Sequence, residues 1–223
     1  MRVVVRALVG LILWLCLPLA AGAQSPDSIS VGIVGWPLDP ADALHALVSD
    51  VERCLTERIR NVAPEISLIP QRAIRDALFP LLEPATQPQS EEAFAAMLAR
   101  DDVRARLAAR GLRYLIVFAG GTRKDDWGGA IGCGGGFGAG GCVGFMWRGE
   151  RTVLAAALWS LDGSTIVRRE GATVEGTSVV PAFVLPIPIM ARTQAHACRE
   201  LGTRIANAIR ESAAPEPPKT PRD

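Results

Sequence analysis

Apolar positions in this chain switch repeatedly between a short period of two and a longer helical period. Ile29 to Val34 alternates apolar residues over a strand's length, and Gly35-Trp36-Pro37 breaks it. Asp39 can cap a helix with Pro40 in its first position. Leu44, Leu47, Val48, Val51, Leu55, Ile59 and Val62 then recur at helical spacing up to Pro64. Ile66 to Ile69 reads as a second strand and Arg72 to Phe79 as a brief helix stopped by Pro80. After a proline-bearing loop, Ser90 can cap a helix that turns Phe94, Met97 and Leu98 inward. Asp101-Asp102 can cap its continuation through Val103 and Leu107 to Gly111.

Leu112 to Phe118 is predicted as a buried strand. Arg151 to Ser160 and Ser164 to Val174 are two more, joined by Asp162-Gly163, a strong hairpin turn signal. Thr193 to Arg210 is the last helix, with Cys198, Leu201, Ile205 and Ile209 on one face. The order is β-α-β-α-α-β-β-β-α. It predicts a single α/β (α+β) domain with a mixed sheet flanked by helices. The expected domain is 27–211, with a glycine-rich insertion at 120–149 and a disordered, proline-rich tail at 212–223.

The first 23 residues change the picture of where the chain works. Arg2 and Arg6 precede a 13-residue apolar run, Ala7 to Leu19, and Ala21-Gly22-Ala23 supplies small residues for cleavage. They read as a secretory signal cut near Ala23, so the expected location is periplasmic. Removing the two arginines leaves 22 basic against 23 acidic residues, from 24 and 23 in the whole chain. Such a balance excludes a strongly basic nucleic-acid binder.

Beyond the leader stand four cysteines, Cys54, Cys133, Cys142 and Cys198. An even number in an oxidising compartment suggests two disulfides, with three pairings open. Cys133 and Cys142 flank a flexible glycine run, and their local pairing leaves Cys54 and Cys198 to link the two long helices. Free core thiols at Cys54 and Cys198 are the alternative.

The search for chemistry assigns no catalytic, cofactor-binding or metal-binding residue. Gly136, Gly138 and Gly141 fit a G-x-G-x-x-G spacing, but they lie far beyond the strand end and open no helix. A nucleophilic pair such as Cys54 with His196 needs a free thiol and an orienting group, and no residue supplies the latter.

The informative segment is Trp127 to Trp147. Its 21 residues carry no charge, and ten are glycine. Glycine at that density rules out a helix and leaves a hairpin. If Cys133 pairs with Cys142, the turn is centred between Phe137 and Gly138, and Gly128 lies opposite Trp147. Three uses compete: a disulfide-closed surface loop, a partner-binding hairpin presenting Trp127, Phe137, Phe145 and Trp147, and a membrane-inserting hairpin. Each arm of the hairpin is close to the 9 to 11 residues (roughly) of a bilayer-crossing strand. Val179 to Met190 is also apolar and uncharged, with Pro181, Pro186 and Pro188. It reads as an extended segment covering the sheet, the alternative being an exposed docking strip.

Four stretches, ISVGIVGW (Ile29 to Trp36), ISLIPQRAIRDAL (Ile66 to Leu78), LAARGLRYLIVFAGGT (Leu107 to Thr122) and TVLAAALWSLDGSTIVRRE (Thr152 to Glu170), carry a resemblance. The pattern resembles the periplasmic α/β fold of the curli-secretion channel subunit. The same fold occurs in the lipoprotein activator of penicillin-binding proteins and in the amino-terminal domain of the Tol-Pal β-propeller protein. The resemblance implies a non-enzymatic module that binds or assembles with other envelope proteins. The expected partner is therefore an envelope protein, not nucleic acid. Outer-membrane association and self-association into a secretion pore form the alternative.

Overall fold

The computed structural model describes residues 29–36, 45–136 and 139–214. The leader, the expected cap at Asp39, Phe137 and residues 215–223 lie outside them.

β1 (Ile29–Gly35) is followed by α1 (His45–Val62), β2 (Ile66–Ile69) and α2 (Gln71–Leu78). Then come α3 (Glu91–Leu98), α4 (Asp101–Ala108), β3 (Tyr114–Lys124), β4 (Gly128–Gly136), β5 (Ala139–Ser160), β6 (Thr165–Ala182) and α5 (Thr193–Ala213). β1 pairs in parallel with both β2 and β3, as two helical crossovers allow. β5 then runs antiparallel to β3, β4 and β6, giving one mixed sheet of six strands.

Alternation along β1 explains the layering. Val31 and Ile33 face α1 and α5, together with Leu55, Ile59, Leu201 and Ile205. Val34 faces the other way, toward Ile74, Leu78, Phe94, Leu107 and Trp159. α1 and α5 approach closely at Gly202, where a Cβ would lie 2.9 Å from the Cβ of Arg58. A disulfide between Cys54 and Cys198 ties these two helices across a sequence separation of 144.

The expected elements are present, with differences of extent, among them β3, which starts at Tyr114 and runs past Phe118 to Lys124. α3 and α4 are separate helices, and α5 continues past Arg210 to Ala213. The glycine-rich segment forms the expected disulfide-closed hairpin, and its second strand continues unbroken into the core sheet as β5, from Ala139 to Ser160. β6 does not stop at Val174 but follows β5 to Ala182. Pro181 is tolerated there because its nitrogen points away from β5, on the side where its carbonyl accepts the Ile187 N–H at 3.0 Å. Val179 to Met190 also does not cover the sheet. Its first residues belong to β6, and the rest is exposed.

Candidate functional site

β5 is twice as long as the core needs. Its second half, from Glu150 to Ser160, pairs with β3 over the helices. Its first half projects past them and pairs with β4, which lies on the same side of β5 as β3. The register is Gly128 opposite Trp147, Cys133 opposite Cys142 and Gly136 opposite Ala139. The Cys133–Cys142 disulfide closes this hairpin. β6 runs along the opposite edge, with Trp147 facing Val179 and Phe145 facing Pro181. The Cys142 N–H donates to the Val184 carbonyl at 3.0 Å, which carries the pairing two residues further. The chain then doubles back, and Val179 and Ile189 exchange N–H···O bonds of 2.9 and 2.8 Å.

The result is an arm built from two segments distant in sequence, 127–147 and 176–191. Neither contains a charged residue. Lys124, Asp125, Asp126, Arg148, Glu175 and Arg192 ring its base in sequence. A sheet that faces water on one side ordinarily alternates apolar with polar residues. Here the exposed face carries Val143, Phe145 and Trp147, and the other carries Ile131, Met146 and the Cys133–Cys142 bond. Val143 is 72% exposed, Phe183 85% and Leu185 72%, and Val184, Ile187, Ile189 and Met190 add to the same end. So much apolar surface in one place is unusual for a sheet that faces water.

The aromatic groups are held in place. The Trp147 ring lies over Gly128, whose Cβ would fall 2.7 Å from it, so only glycine leaves room there. Phe145 stacks beside Trp147 with centroids 5.9 Å apart. The Arg148 guanidinium sits 4.7 Å from the centre of the Trp127 ring. The Nε of Arg148 is buried and has no hydrogen-bond partner among the described residues.

The arm's base is a buried polar network. Glu150 accepts from Arg148 and from Ser178, each at 2.9 Å. Ser178 Oγ in turn accepts the Ala191 N–H at 2.9 Å, fixing the chain where it leaves the arm for α5. Beside it, Thr122, Thr152 and Thr193 join β3, β5 and the start of α5 through hydroxyl contacts of 2.7 and 2.9 Å. Burial pushes the Glu150 carboxyl up. The Ser178 and Arg148 hydrogen bonds and the Lys124 charge outweigh it, so the net shift is down.

The structure thus brings together Trp127, Phe145, Trp147, Cys133 and Cys142 from the sequence-predicted set, while Phe137 lies outside the described residues. Cys54 and Cys198 stand apart, between α1 and α5. Sequence reasoning had Val179 to Met190 as a cover of the sheet, with an exposed docking strip as the alternative, and did not join Phe183 to Met190 to the hairpin surface. Their lack of charge, matching that of 127–147, was the available signal. Among the described residues no group of three or more His, Cys, Asp or Glu is placed to hold a metal. Among the same residues no helix is long and apolar enough to cross a membrane.

No family model and no characterised protein sequence matches this chain. Solved structures similar to it include the PelC dodecamer from Paraburkholderia phytofirmans, with 12% identity over 82% of this chain and 86% of that one, at a TM-score of 0.36. Lipoprotein GNA1162 from Neisseria meningitidis shares 10% identity over 82% of this chain and 99% of its own, at a TM-score of 0.39. The LpoB C-terminal domain from Salmonella enterica shares 12% over 75% and 93%, at 0.32. These are loose likenesses of chain course, and what the arm does has to be read from the arm.

Proposed function

We propose that this chain is a non-enzymatic envelope protein that binds or assembles with a partner protein through the arm. One observation carries the reading: two uncharged segments, far apart in sequence, converge on one projecting sheet and expose their large apolar side chains together. The network at the base and the disulfide near the tip hold that surface before any partner arrives, which lowers the ordering cost of binding. Trp147 and Phe145 supply stacked aromatic anchors, the kind of group that dominates interface energetics. Two disulfides suit an oxidising compartment, in keeping with the secretory leader read from the sequence.

A second reading makes the chain a subunit of an oligomeric outer-membrane assembly or secretion pore, with 127–147 entering the bilayer. The absence of charge from both faces favours it, as do nine-residue arms with one tryptophan at the base of each. A lone arm could not do this, because among the described residues nothing pairs with the outer edge of β4, and hydrocarbon cannot satisfy its free N–H and C=O groups. This reading therefore requires neighbouring copies.

Fractionation of native cells, followed by the native mass of the extracted protein, separates the two. A periplasmic monomer or dimer released without detergent supports the partner-binding module. A detergent-requiring ring in the outer membrane overturns it in favour of the pore.

A further inference from the structure

The hairpin half of the arm has little besides its disulfide to hold it shut. Of nine cross-strand pairs between β4 and β5, only Ala130–Phe145 and Cys133–Cys142 place a side chain on both strands. In every other pair at least one partner is glycine. Cross-strand side-chain contacts are the usual source of sheet stability, and glycine loses the most freedom on ordering. Beyond Cys133 and Cys142, the pairs toward the tip are Gly134–Gly141, Gly135–Gly140 and Gly136–Ala139. Cys142 is also the residue whose N–H reaches Val184, so the clip meets the second apolar segment as well.

The two disulfides differ in access. Cys133 is exposed and Cys142 half-buried at the end of the arm, whereas Cys54 is half-buried and Cys198 only 1% exposed between α1 and α5, so only the arm's disulfide offers an exposed cysteine. Attack by an external thiolate depends on reaching a sulfur.

We propose that Cys133–Cys142 is a redox clip that switches the arm between an ordered, presenting state and an opened one, operated by a dithiol reductant. The proposal rests on the reading of the arm as the contact surface. A thiolate of the reductant attacks the Cys133 sulfur, forms a mixed disulfide and releases Cys142 as a thiolate. The reductant's second thiol then displaces Cys133 and leaves as a disulfide. Two electrons pass to the protein, one S–S bond breaks, and two thiols form once protonated. Cys54–Cys198 stays intact, so the helical layers and the core sheet persist while the hairpin frays.

The test uses the full chain, oxidised, titrated with dithiothreitol. Thiols are alkylated and mapped by mass, and backbone amide exchange is followed along the chain. The expected result is that Cys133 and Cys142 become alkylated before Cys54 and Cys198. Amides of Gly129–Met146 then exchange at least tenfold faster, while those of β1 and of the Glu150–Ser160 half of β5 are unchanged. The C133S/C142S double variant should show the fast exchange without reductant. Earlier reduction of Cys54–Cys198, or arm exchange in the double variant equal to that of the oxidised protein, would overturn the clip. Exchange and reduction order do not depend on what the arm binds. Failure of the contact-surface reading would appear separately, as an unaltered native mass and fractionation behaviour in a chain whose clip does open.

Discussion

Gly144→Ala offers a perturbation confined to the arm. Gly144 has φ of +150°, a region closed to residues with a side chain. Its added Cβ would lie 2.2 Å from the Ala130 carbonyl oxygen and 2.7 Å from the Ile131 Cα, both backbone atoms of β4 that cannot turn aside. Such a conformation costs on the order of 2 kcal/mol. Gly132→Ala, one pair away on β4, is the matched control: nothing lies within 4 Å of its Cβ. Replacing a glycine at a compatible position stabilises by about 0.5 kcal/mol, through the unfolded chain. The two variants, identical in composition, should therefore differ by about 2.5 kcal/mol, or roughly 60-fold in a local opening equilibrium. Native-state amide exchange reads that equilibrium directly. Faster exchange across Gly128–Gly136 and Ala139–Trp147 is expected in G144A alone, with Val31, Ile33, Leu154 and Leu158 unmoved in both. Equal arm exchange in the two variants, or loss of core protection first, would refute the close backbone packing from which the estimate comes.

The remaining predictions concern the junctions. Removing Cys54–Cys198 with a double alanine variant opens a loop of sequence separation 144, worth about 5 kcal/mol in the chain-entropy model. A much lower urea midpoint should follow, and an unchanged midpoint would contradict it. Glu150 has its folded pKa depressed, so its stabilisation is complete above the ordinary carboxylate value and is lost as pH falls through the folded one. The protection factors of the arm amides, with the intrinsic pH dependence of exchange divided out, should thus be flat from neutrality down to about pH 4.3 and fall only below it. A transition near pH 6 would show that another group governs the base. Trp127→Ala with Trp147→Ala removes exposed rings, so thermal stability of the core should hold within about 1 kcal/mol while association through the arm is lost. Intact association in a circular-dichroism-matched sample would remove these rings from the interface.

Much of this was legible in the chain because cysteine spacing fixes geometry. Nine positions separate Cys133 from Cys142, and pairing them dictates Gly128 opposite Trp147, the register found. What hid the rest is that apolar character does not say whether water or protein lies alongside. Val179 to Met190 carries the composition of a buried cover, yet it follows β5 outward to the exposed end. The continuity of β5 was masked by Arg148 and Glu150, which resemble a break between strands. They lie two residues apart on one strand face and pair with each other, so the strand passes through them. The extent of β6 was similarly obscured. Its inward positions past Val174 are Gly176 and Ser178, too small or polar to sustain an apolar alternation.

The central claim, that the arm is the contact surface, is tested most directly by a photo-activated cross-linking side chain placed at Phe145, at Phe183, or at Val167. Val167 is exposed but lies on β6 near the Asp162-Gly163 turn, away from the arm. Irradiation in intact cells should give protein adducts at Phe145 and Phe183 and none at Val167. Adducts at Val167 alone, or none at either arm position, would contradict the account.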